Sequence, residues 1–223
     1  MDGRLTGIHR NEVLLYLGYR GGGLDPALAA DIDRCEALLL TTARPRVVWR
    51  RFPLDTEGVP MGTEFYPAGE DVKRLLRGCT AMIVFAATLG AEAERLIRRA
   101  QAVDMADAVI LDACGSAAVE NVCDNLCADL ADDEAPLYLT DRFSPGYGDL
   151  PFSQQPDFCR LLDTERRIGV TLTDSGLMLP QKSVTALLGV SPIPTEKRSR
   201  GCAYCRMFEN CAYRKDGVSC GEI

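Results

Sequence analysis

The chain has 223 residues, a hydrophobic fraction of 47% and a formal net charge of −7, as expected of an ordinary globular protein with one sizeable domain and at most a small appendage. The acidic balance argues against nucleic acid as a partner, because phosphate binding requires clustered Lys and Arg. The single histidine, His9, excludes any multi-histidine metal site, and a Ser-His-Asp or Cys-His catalytic site could use only this residue.

The first part of the chain predicts three helices and a hairpin. Asn11 is placed to cap a helix over Glu12–Leu17, and Asp25-Pro26 begins a second helix, since an acidic cap before a first-turn proline is a start signal. Arg46–Leu54 is typical of a strand, and the turn 55–58 predicts a return strand over Val59–Tyr66. A third helix is predicted over Glu70–Leu76.

The remaining elements are predicted from apolar runs and periodicity, and they indicate one α+β domain. They are a buried strand Thr80–Thr88, helices Gly90–Ala102, Met105–Leu130 and Pro156–Asp163, and strands Leu137–Thr140, Ile168–Thr173, Leu177–Leu179 and Lys182–Val190. The apolar side of the long helix is assigned to Val109, Ala113, Ala117, Cys123, Leu126, Cys127 and Leu130. Hairpin turns between strands favour a mainly antiparallel sheet flanked by helices over residues 1–191.

Residues 192–223 form a linker followed by a Cys-rich appendage. Cys202, Cys205, Cys211 and Cys220 have the spacing C-x2-C-x5-C-x8-C, and four thiolates suit either structural zinc or an iron–sulfur cluster. Free thiols on an unliganded tail are the alternative. The other six cysteines lie within apolar patterns and are assigned to the core: Cys35, Cys79, Cys114, Cys123, Cys127 and Cys159.

Three segments carry a resemblance to a known family. Arg142–Tyr147 matches R-x-x-x-G-Y, Ile168–Ser175 matches I-G-[IM]-x-L-T-[ED]-S, and Pro180, Ser183 and Val184 continue in register. In these segments the chain resembles the reactivation (activation) domain of cobalamin-dependent methionine synthase. Ala86–Gly90 and Leu111–Ser116 are similar to segments of its free-standing members.

The resemblance implies an S-adenosylmethionine site. The residues that it assigns to this site are Arg142, Pro145, Gly146, Tyr147, Glu120, Asp174 and Ser175. The residue types suit the ligand, because an arginine clamps a carboxylate with two hydrogen bonds, a Pro-Gly turn exposes backbone groups, and a tyrosine offers a flat face and a hydroxyl. Alternatively, Asp174 and Ser175 only cap a turn, and Glu120 is a solvated charge on a helix.

The resemblance also implies a repair function. Family members hold S-adenosylmethionine so that, when an electron arrives, its methyl group traps the Co(I) form of an oxidised corrinoid. The chain has no D-x-H-x-x-G cobalamin motif, so we expect the cobalamin on a partner, a corrinoid-carrying methyltransferase, with a flavodoxin-like or ferredoxin-like electron donor. The activity would be methyltransferase activity, as the activation component of methionine synthase.

Two other functions remain open. An iron–sulfur cluster on the tail would make the chain an electron-transfer protein for corrinoid reduction, and bound zinc would make it a non-catalytic, zinc-stapled adaptor. In each case we expect a cytoplasmic location without membrane contact, because the most apolar stretch, Ala81–Ala87, is too short to cross a bilayer.

Two positions depart from the family pattern. Gly148 stands where a proline often follows Pro-Gly-Tyr, and the segment Thr185–Gly189 lacks the aromatic residue that lies near the ligand in the synthase domains.

Overall fold

The computed structural model describes residues 2–19 and 23–195. In these residues the helices are α1 (Arg10–Tyr16), α2 (Pro26–Thr42), α3 (Glu70–Leu76), α4 (Ala91–Val103), α5 (Met105–Asp133), α6 (Gln155–Leu162) and α7 (Thr164–Ile168). The strands are β1 (Arg46–Pro53), β2 (Ala81–Thr88), β3 (Tyr138–Leu139), β4 (Thr171–Leu172), β5 (Met178–Leu179) and β6 (Ser183–Ser191). A 3-10 turn, Phe152–Gln154, precedes α6.

Four of the strands form an antiparallel sheet in the order β1-β2-β6-β3, and β4 pairs with β5 in a separate ribbon. Every residue of β2 is buried, because the strand lies between β1 and β6 and helices cover both faces of the sheet. This double burial explains why the sequence of β2 is a continuous apolar run without alternation. The predicted α+β fold with an antiparallel sheet flanked by helices is confirmed.

Two hydrophobic cores lie on opposite faces of the sheet. Ile83 and Phe85 of β2 face the larger core, which contains residues of α1, α2, α4 and α5. Met82 and Val84 face the smaller core, which contains residues of α3, α6 and α7. Each fully buried aliphatic or aromatic side chain contributes roughly 1.5–3 kcal/mol of transfer free energy, so the sheet is held from both sides.

The long helix α5 extends across the larger core. Asp104 caps it by accepting hydrogen bonds from the backbone N–H groups of Ala106 and Asp107. Most of its predicted apolar residues are buried, but Val109 is 53% exposed. The assignment of Val109 to the apolar side was therefore wrong, because its neighbours Ala108 and Ile110 occupy the buried face at this turn.

The predicted return strand over Val59–Tyr66 is absent from the described chain, where only a single bridge joins Leu54 to Pro60. The side chain of Asp55 accepts hydrogen bonds from the N–H groups of Glu57 and Val59 and closes a compact loop instead. The neighbour of β1 in the sheet is β2, which leaves β1 as an edge strand.

Two further local predictions were wrong. Ile168 ends α7 and Gly169 turns with φ +71°, so the strand begins only at Thr171, although Ile168 and Val170 are buried as the alternation predicted. The first helix begins at Arg10, with His9 rather than Asn11 at its N-cap.

The end of β6 leads to the predicted linker. Thr195, the last described residue, donates its hydroxyl to the carbonyl of Leu139 at 2.9 Å. Cys202, Cys205, Cys211 and Cys220 lie outside the described residues, so the division at residue 191 stays a prediction.

Candidate ligand-binding site

The loop that carries Arg142 is fastened to the sheet. Thr140 donates its backbone N–H to the carbonyl of Gly189, and Phe143 and Leu187 exchange two backbone hydrogen bonds of 2.9 Å. The loop thus continues β3 along the edge of β6. Because side chains alternate along an extended chain, the buried ring of Phe143 faces the smaller core while the side chain of Arg142 reaches α5.

The side chain of Arg142 lies between two carboxylates on α5. Its Nη1 donates to Asp124 Oδ1 at 2.7 Å and its Nη2 donates to Glu120 Oε2 at 2.8 Å. Only 20% of the side chain is exposed. Glu120 and Asp124 are one helical turn apart, which is why one guanidinium can bind both. The structure therefore brings together two of the predicted site residues, Arg142 and Glu120.

Two residues of α1 border this cluster. Burial is the main reason that the pKa of Glu12 is raised above its ordinary value, and the carboxylates of Asp124 and Glu120 add to the effect. The pKa of Tyr16 is likewise raised, first by burial and then by Glu120 and Glu12. Oε2 of Glu12 is buried and has no hydrogen-bond partner among the described residues. A carboxylate oxygen without a partner in a negative environment is ready to accept a cationic donor.

A depression of about 490 Å³ opens next to Glu12. Its lining consists of His9, Arg10, Asn11, Glu12 and Asp124. The larger depression, about 760 Å³, is lined by the loop 54–60 and by α3 with its flanking residues, and the predicted site residues do not line it. The smaller one is therefore the relevant space, since it shares Asp124 with the Arg142 cluster.

Thiol groups lie behind the guanidinium. Burial raises the pKa of Cys123 and of Cys127, although Arg142 opposes the shift at both. Around Arg142, burial works against the charged form, but the thiols and carboxylates outweigh it and the pKa of the guanidinium is raised. The arginine stays protonated, and the thiols stay neutral at physiological pH.

The Pro-Gly-Tyr segment forms a tight turn. Gly146 has φ +85° and donates its N–H to the carbonyl of Leu150, and Tyr147 donates its N–H to Ser144. The ring of Tyr147 is 67% exposed and packs edge-on against Phe143, with centroids 5.8 Å apart. An exposed aromatic face on a fixed turn can stack on a flat ligand group.

Gly148 explains the first departure from the family pattern. Its φ is +54°, which proline cannot adopt, and a Cβ at this position would lie 2.5 Å from Cζ of Phe143. The next residue, Asp149, accepts hydrogen bonds from the N–H groups of Glu70 and Asp71 at the start of α3. The loop is thus fixed at both ends.

Asp174 and Ser175 form the turn between β4 and β5. Thr173 accepts the N–H of Gly176, and the hydroxyls of Thr173 and Ser175 are 2.9 Å apart. The ring of Phe152 joins this turn to the Pro-Gly loop, because Cβ atoms built on Gly146 and Gly176 would lie 3.7 Å and 3.2 Å from it. The Pro-Gly-Tyr turn and the turn at Asp174 and Ser175 therefore lie next to each other at Phe152. Asp174 and Ser175 themselves make the contacts of an ordinary turn.

The segment that lacks the family's aromatic residue is packed into the core. In the segment Thr185–Gly189 of β6, residues Thr185, Ala186, Leu187 and Leu188 are all buried. None of these side chains is available to a ligand. Tyr16 of α1 instead places a half-exposed aromatic ring near Glu120 and Arg142.

The segment Leu111–Ser116 contacts the start of β6. Lys182 donates to Asp112 at 2.8 Å and to Ser116 at 2.9 Å, and its methylene groups pass over Gly115. A Cβ at Gly115 would lie 3.1 Å from Cε of the lysine. The glycine in this segment therefore lets the stem of Lys182 pass close to the helix.

No group of His, Cys, Asp and Glu residues suited to a metal ion occurs within residues 2–19 and 23–195. The cysteines predicted to bind zinc or an iron–sulfur cluster lie outside that range. Of the six cysteines assigned to the core, five are buried and Cys127 is partly buried. No helix in the described part of the chain is long and apolar enough to cross a membrane.

A sequence profile described as "Vitamin B12 dependent methionine synthase, activation domain" matches residues 80–196, more than half of the chain. The chain belongs to this family. Thirteen solved chains are also similar. One of them, a crystal structure of the MetH reactivation domain bound to AdoHcy, has a TM-score of 0.62 and 17% identity over 100% of this chain and 86% of that chain. At that identity the similarity shows the fold. The search of curated proteins gave no match.

The activation-domain match contains Glu120, Arg142 and the Pro-Gly-Tyr turn, but not α1. Sequence reasoning accordingly missed Glu12 and Tyr16, which lie far from the motifs in the chain and reach them only through the fold. Asp124 could have been found, because an acidic residue one turn after Glu120 lies on the same face of a helix.

Proposed function

We propose that this activation-domain protein binds S-adenosylmethionine at the Arg142 cluster and serves as a reactivation component for a corrinoid-carrying methyltransferase. The observation that carries the proposal is the arrangement of Arg142 between Glu120 and Asp124, beside the unpartnered Oε2 of Glu12. AdoHcy, the molecule bound to the similar reactivation domain, is S-adenosylmethionine without its methyl group.

An amino acid can enter this cluster by exchanging ion pairs. The ligand carboxylate takes the place of one carboxylate on the guanidinium of Arg142, and the ligand ammonium binds the carboxylate thus released. The number of charge-assisted hydrogen bonds stays the same, so no charged group of the cluster is left unpaired. The net free-energy cost of desolvation is therefore small. Glu12 provides a further acceptor for the ammonium.

The net charge of the cluster suits the methyl donor. Three carboxylates, Glu12, Glu120 and Asp124, surround one guanidinium, so the cluster has a negative excess. S-adenosylmethionine carries an ammonium, a sulfonium and one carboxylate, which gives it a net charge of +1. Opposite charges at close range attract even where solvent reaches the carboxylates of Glu120 and Asp124, and the cluster therefore favours this ligand over neutral ones.

The remaining contacts orient the nucleoside. For this role we propose the exposed ring of Tyr147 and the backbone of the Pro145–Gly146 turn, which follow Arg142 along the loop, and Phe152 links this turn to the one at Asp174 and Ser175. Methyl transfer to a strong nucleophile needs positioning and no general base, which agrees with a site made of clamps and aromatic faces.

The partner's corrinoid supplies the nucleophile: once a donor protein has reduced Co(II) to Co(I), cobalt takes the methyl group from the sulfonium and AdoHcy remains. The donor is expected to be flavodoxin-like or ferredoxin-like. This chain's part is to hold the methyl donor and to keep its sulfur exposed on the side where the corrinoid partner docks.

The proposal is tested in two steps. Calorimetric titration of the protein with S-adenosylmethionine should show one site per chain, whereas an adaptor that has lost its ligand would give no heat. The protein, S-adenosylmethionine, a reductant and an inactive Co(II) methyltransferase should then restore methylcobalamin, as followed by absorbance. Equal recovery without the protein would exclude the repair function.

A further inference from the structure

The segment that precedes α1, residues 2–9, lies along α5; we call it the N-terminal strap. Asp2 pairs with Arg46 at the start of β1, and Gly3 donates its N–H to Pro45. Leu5 and Ile8 pack against the larger core. The strap thus connects the edge of the sheet to the start of α1.

Two asparagines of α5 fix the strap. The buried Oδ1 of Asn121 accepts the backbone N–H of Thr6 at 3.2 Å and the amide of Asn125 at 3.0 Å. Nδ2 of Asn125 also donates to the carbonyl of Arg4 at 3.0 Å and to the hydroxyl of Thr6 at 3.2 Å. Both asparagines thereby bind the strap, directly and through each other.

These contacts set the register of the strap on the helix. Arg4 pairs with Asp129 at 2.6 Å, and Thr6 lies opposite Asn125 and Asn121, so the strap runs antiparallel to α5. Continuing in this direction, α1 begins at Arg10 and brings Glu12 beside Glu120 and Asp124.

The helix α1 depends on this anchoring. It has only seven residues, and His9 at its N-cap makes no side-chain capping hydrogen bond. A helix of this length is unstable alone, so its position is determined by what it packs on and by the strap before it. A slip of the strap would therefore move the carboxylate of Glu12 relative to Arg142.

We propose that Asn121 and Asn125 are positioning residues, which act through the N-terminal strap to hold Glu12 of α1 in the ligand site. Asn121 and Asn125 directly follow Glu120 and Asp124 in the chain. One stretch of α5 therefore contacts both Arg142 and the N-terminal strap. One face of the helix binds Arg142, and the adjacent face fixes the strap that delivers Glu12. The effect on ligand affinity rests on the proposed function, but the positioning itself does not.

The first experiment needs no ligand. The carboxyl carbons of ¹³C-labelled glutamates are titrated by NMR, and Glu12 is identified by the resonance missing in Glu12→Gln. In the native protein Glu12 should titrate above its ordinary value, and in Asn125→Ala its midpoint should fall towards that value. His9, Tyr16, Glu120, Asp124 and Arg142 are the titratable and charged groups that face Glu12, and Asn125→Ala leaves all five in place.

Ile97→Val is the matched control, because it removes one buried methylene on α4, in the larger core but away from the strap. It should lower the melting temperature and leave the Glu12 titration unchanged. The positioning proposal is overturned if Asn125→Ala leaves the Glu12 midpoint where the native protein has it, or if Ile97→Val moves it equally.

The second experiment is a double-mutant cycle on affinity for S-adenosylmethionine. Asn125→Ala should weaken binding about tenfold in the native background and have little further effect in Glu12→Gln, because residues that act through one another are not additive. Equal weakening in both backgrounds would show that Asn125 does not act through Glu12. If the native protein itself binds no ligand, the proposed function fails, while the titration still decides the positioning.

Discussion

Arg142 is the residue on which the proposed ligand site depends. Its Nη1 and Nη2 are both engaged by carboxylates of α5, so its charge is satisfied before any ligand arrives. A ligand with a carboxylate alone would displace one of these groups and leave it unpaired, whereas an amino acid provides a replacement cation. In the proposed site, the ion pairs of Arg142 with Glu120 and Asp124 would therefore favour a zwitterion as the ligand.

Replacing this arginine should abolish tight binding. We expect Arg142→Ala to weaken affinity for S-adenosylmethionine by about 2 kcal/mol or more, because the charge-assisted contact with the ligand carboxylate is lost and Glu120 and Asp124 lose their shared cation. Calorimetry measures the loss. Arg160→Ala, which removes an exposed arginine paired with Asp157, should bind as the native protein does. Retained affinity in Arg142→Ala would place the carboxylate elsewhere.

Gly148 tests the geometry of the loop. Gly148→Ala should destabilise the fold by more than about 1 kcal/mol, because it combines a positive φ with a clash against the buried ring of Phe143. Gly58→Ala is the matched control, since Gly58 has φ +80° but open space around it. Chemical denaturation gives the free energy of unfolding of both variants. Both carry the strain of a positive φ, so the difference between their losses measures the clash. Equal losses would mean that the contact with Phe143 is unimportant.

At the scale of elements, sequence signals were reliable where local and tertiary preferences agree. The helix Glu70–Leu76 was predicted with its observed bounds because acidic residues begin it, basic residues end it and Gly78 follows. The strand β2 was predicted because a short, continuous apolar run is typical of a strand that is buried on both faces. The return strand after Asp55 failed because the pairing partner of β1 comes from a distant part of the chain.

The residues of the candidate site could be proposed from the sequence only where one contiguous motif contains them. Arg142 and the Pro-Gly-Tyr turn form a contiguous segment, and Glu120 followed from the family resemblance. Glu12 joins them from a separate element, by way of a strap whose register depends on two asparagine side chains. Periodicity gives no information on such a contact.

The packing of α5 on β6 yields a further prediction. Gly115→Ala should stabilise α5 by about 1 kcal/mol, because alanine has a higher helix propensity than glycine. The new methyl group, however, crowds the side chain of Lys182. We therefore expect a small gain in the native background and a larger one in Lys182→Ala, where the crowding is removed. Thermal unfolding of the four proteins gives the comparison. Equal gains in the native and Lys182→Ala backgrounds would show that the Lys182 side chain moves aside without a free-energy cost.

For the whole molecule, the net charge of the cluster predicts a preference among ligands. S-adenosylmethionine should bind more tightly than AdoHcy, because it alone carries the sulfonium charge into a site with excess carboxylates. Added salt should reduce the difference, since screening acts on the charge term. Competition titrations at low and high ionic strength provide the test. Tighter binding of AdoHcy at every ionic strength would contradict it.

The thiols of the described residues allow the tail to be examined separately. Burial raises the pKa of Cys35, Cys79, Cys123 and Cys127, and raises that of Cys114 to about 12. Cys159 is buried, so all six thiols of the described residues should alkylate slowly at neutral pH. Rapid alkylation in the native protein then reports on Cys202, Cys205, Cys211 and Cys220. We expect zinc or iron by elemental analysis, protection of these four, and loss of the metal in Cys202→Ser. Free alkylation without bound metal would leave an unliganded tail.

The carboxylates around Arg142 also bear on molecules that must be kept out. ATP is abundant in cells and shares its adenosine with S-adenosylmethionine. A site made only of an aromatic ring and an arginine would therefore bind both. A triphosphate remains a net anion even as its magnesium complex, so at Arg142 it would meet Glu12, Glu120 and Asp124 without an ammonium group to offer them. Like-charge repulsion at such short range is severe. If the proposed function holds, the acids that keep the arginine occupied would also exclude the most common adenosine compound from the ligand site.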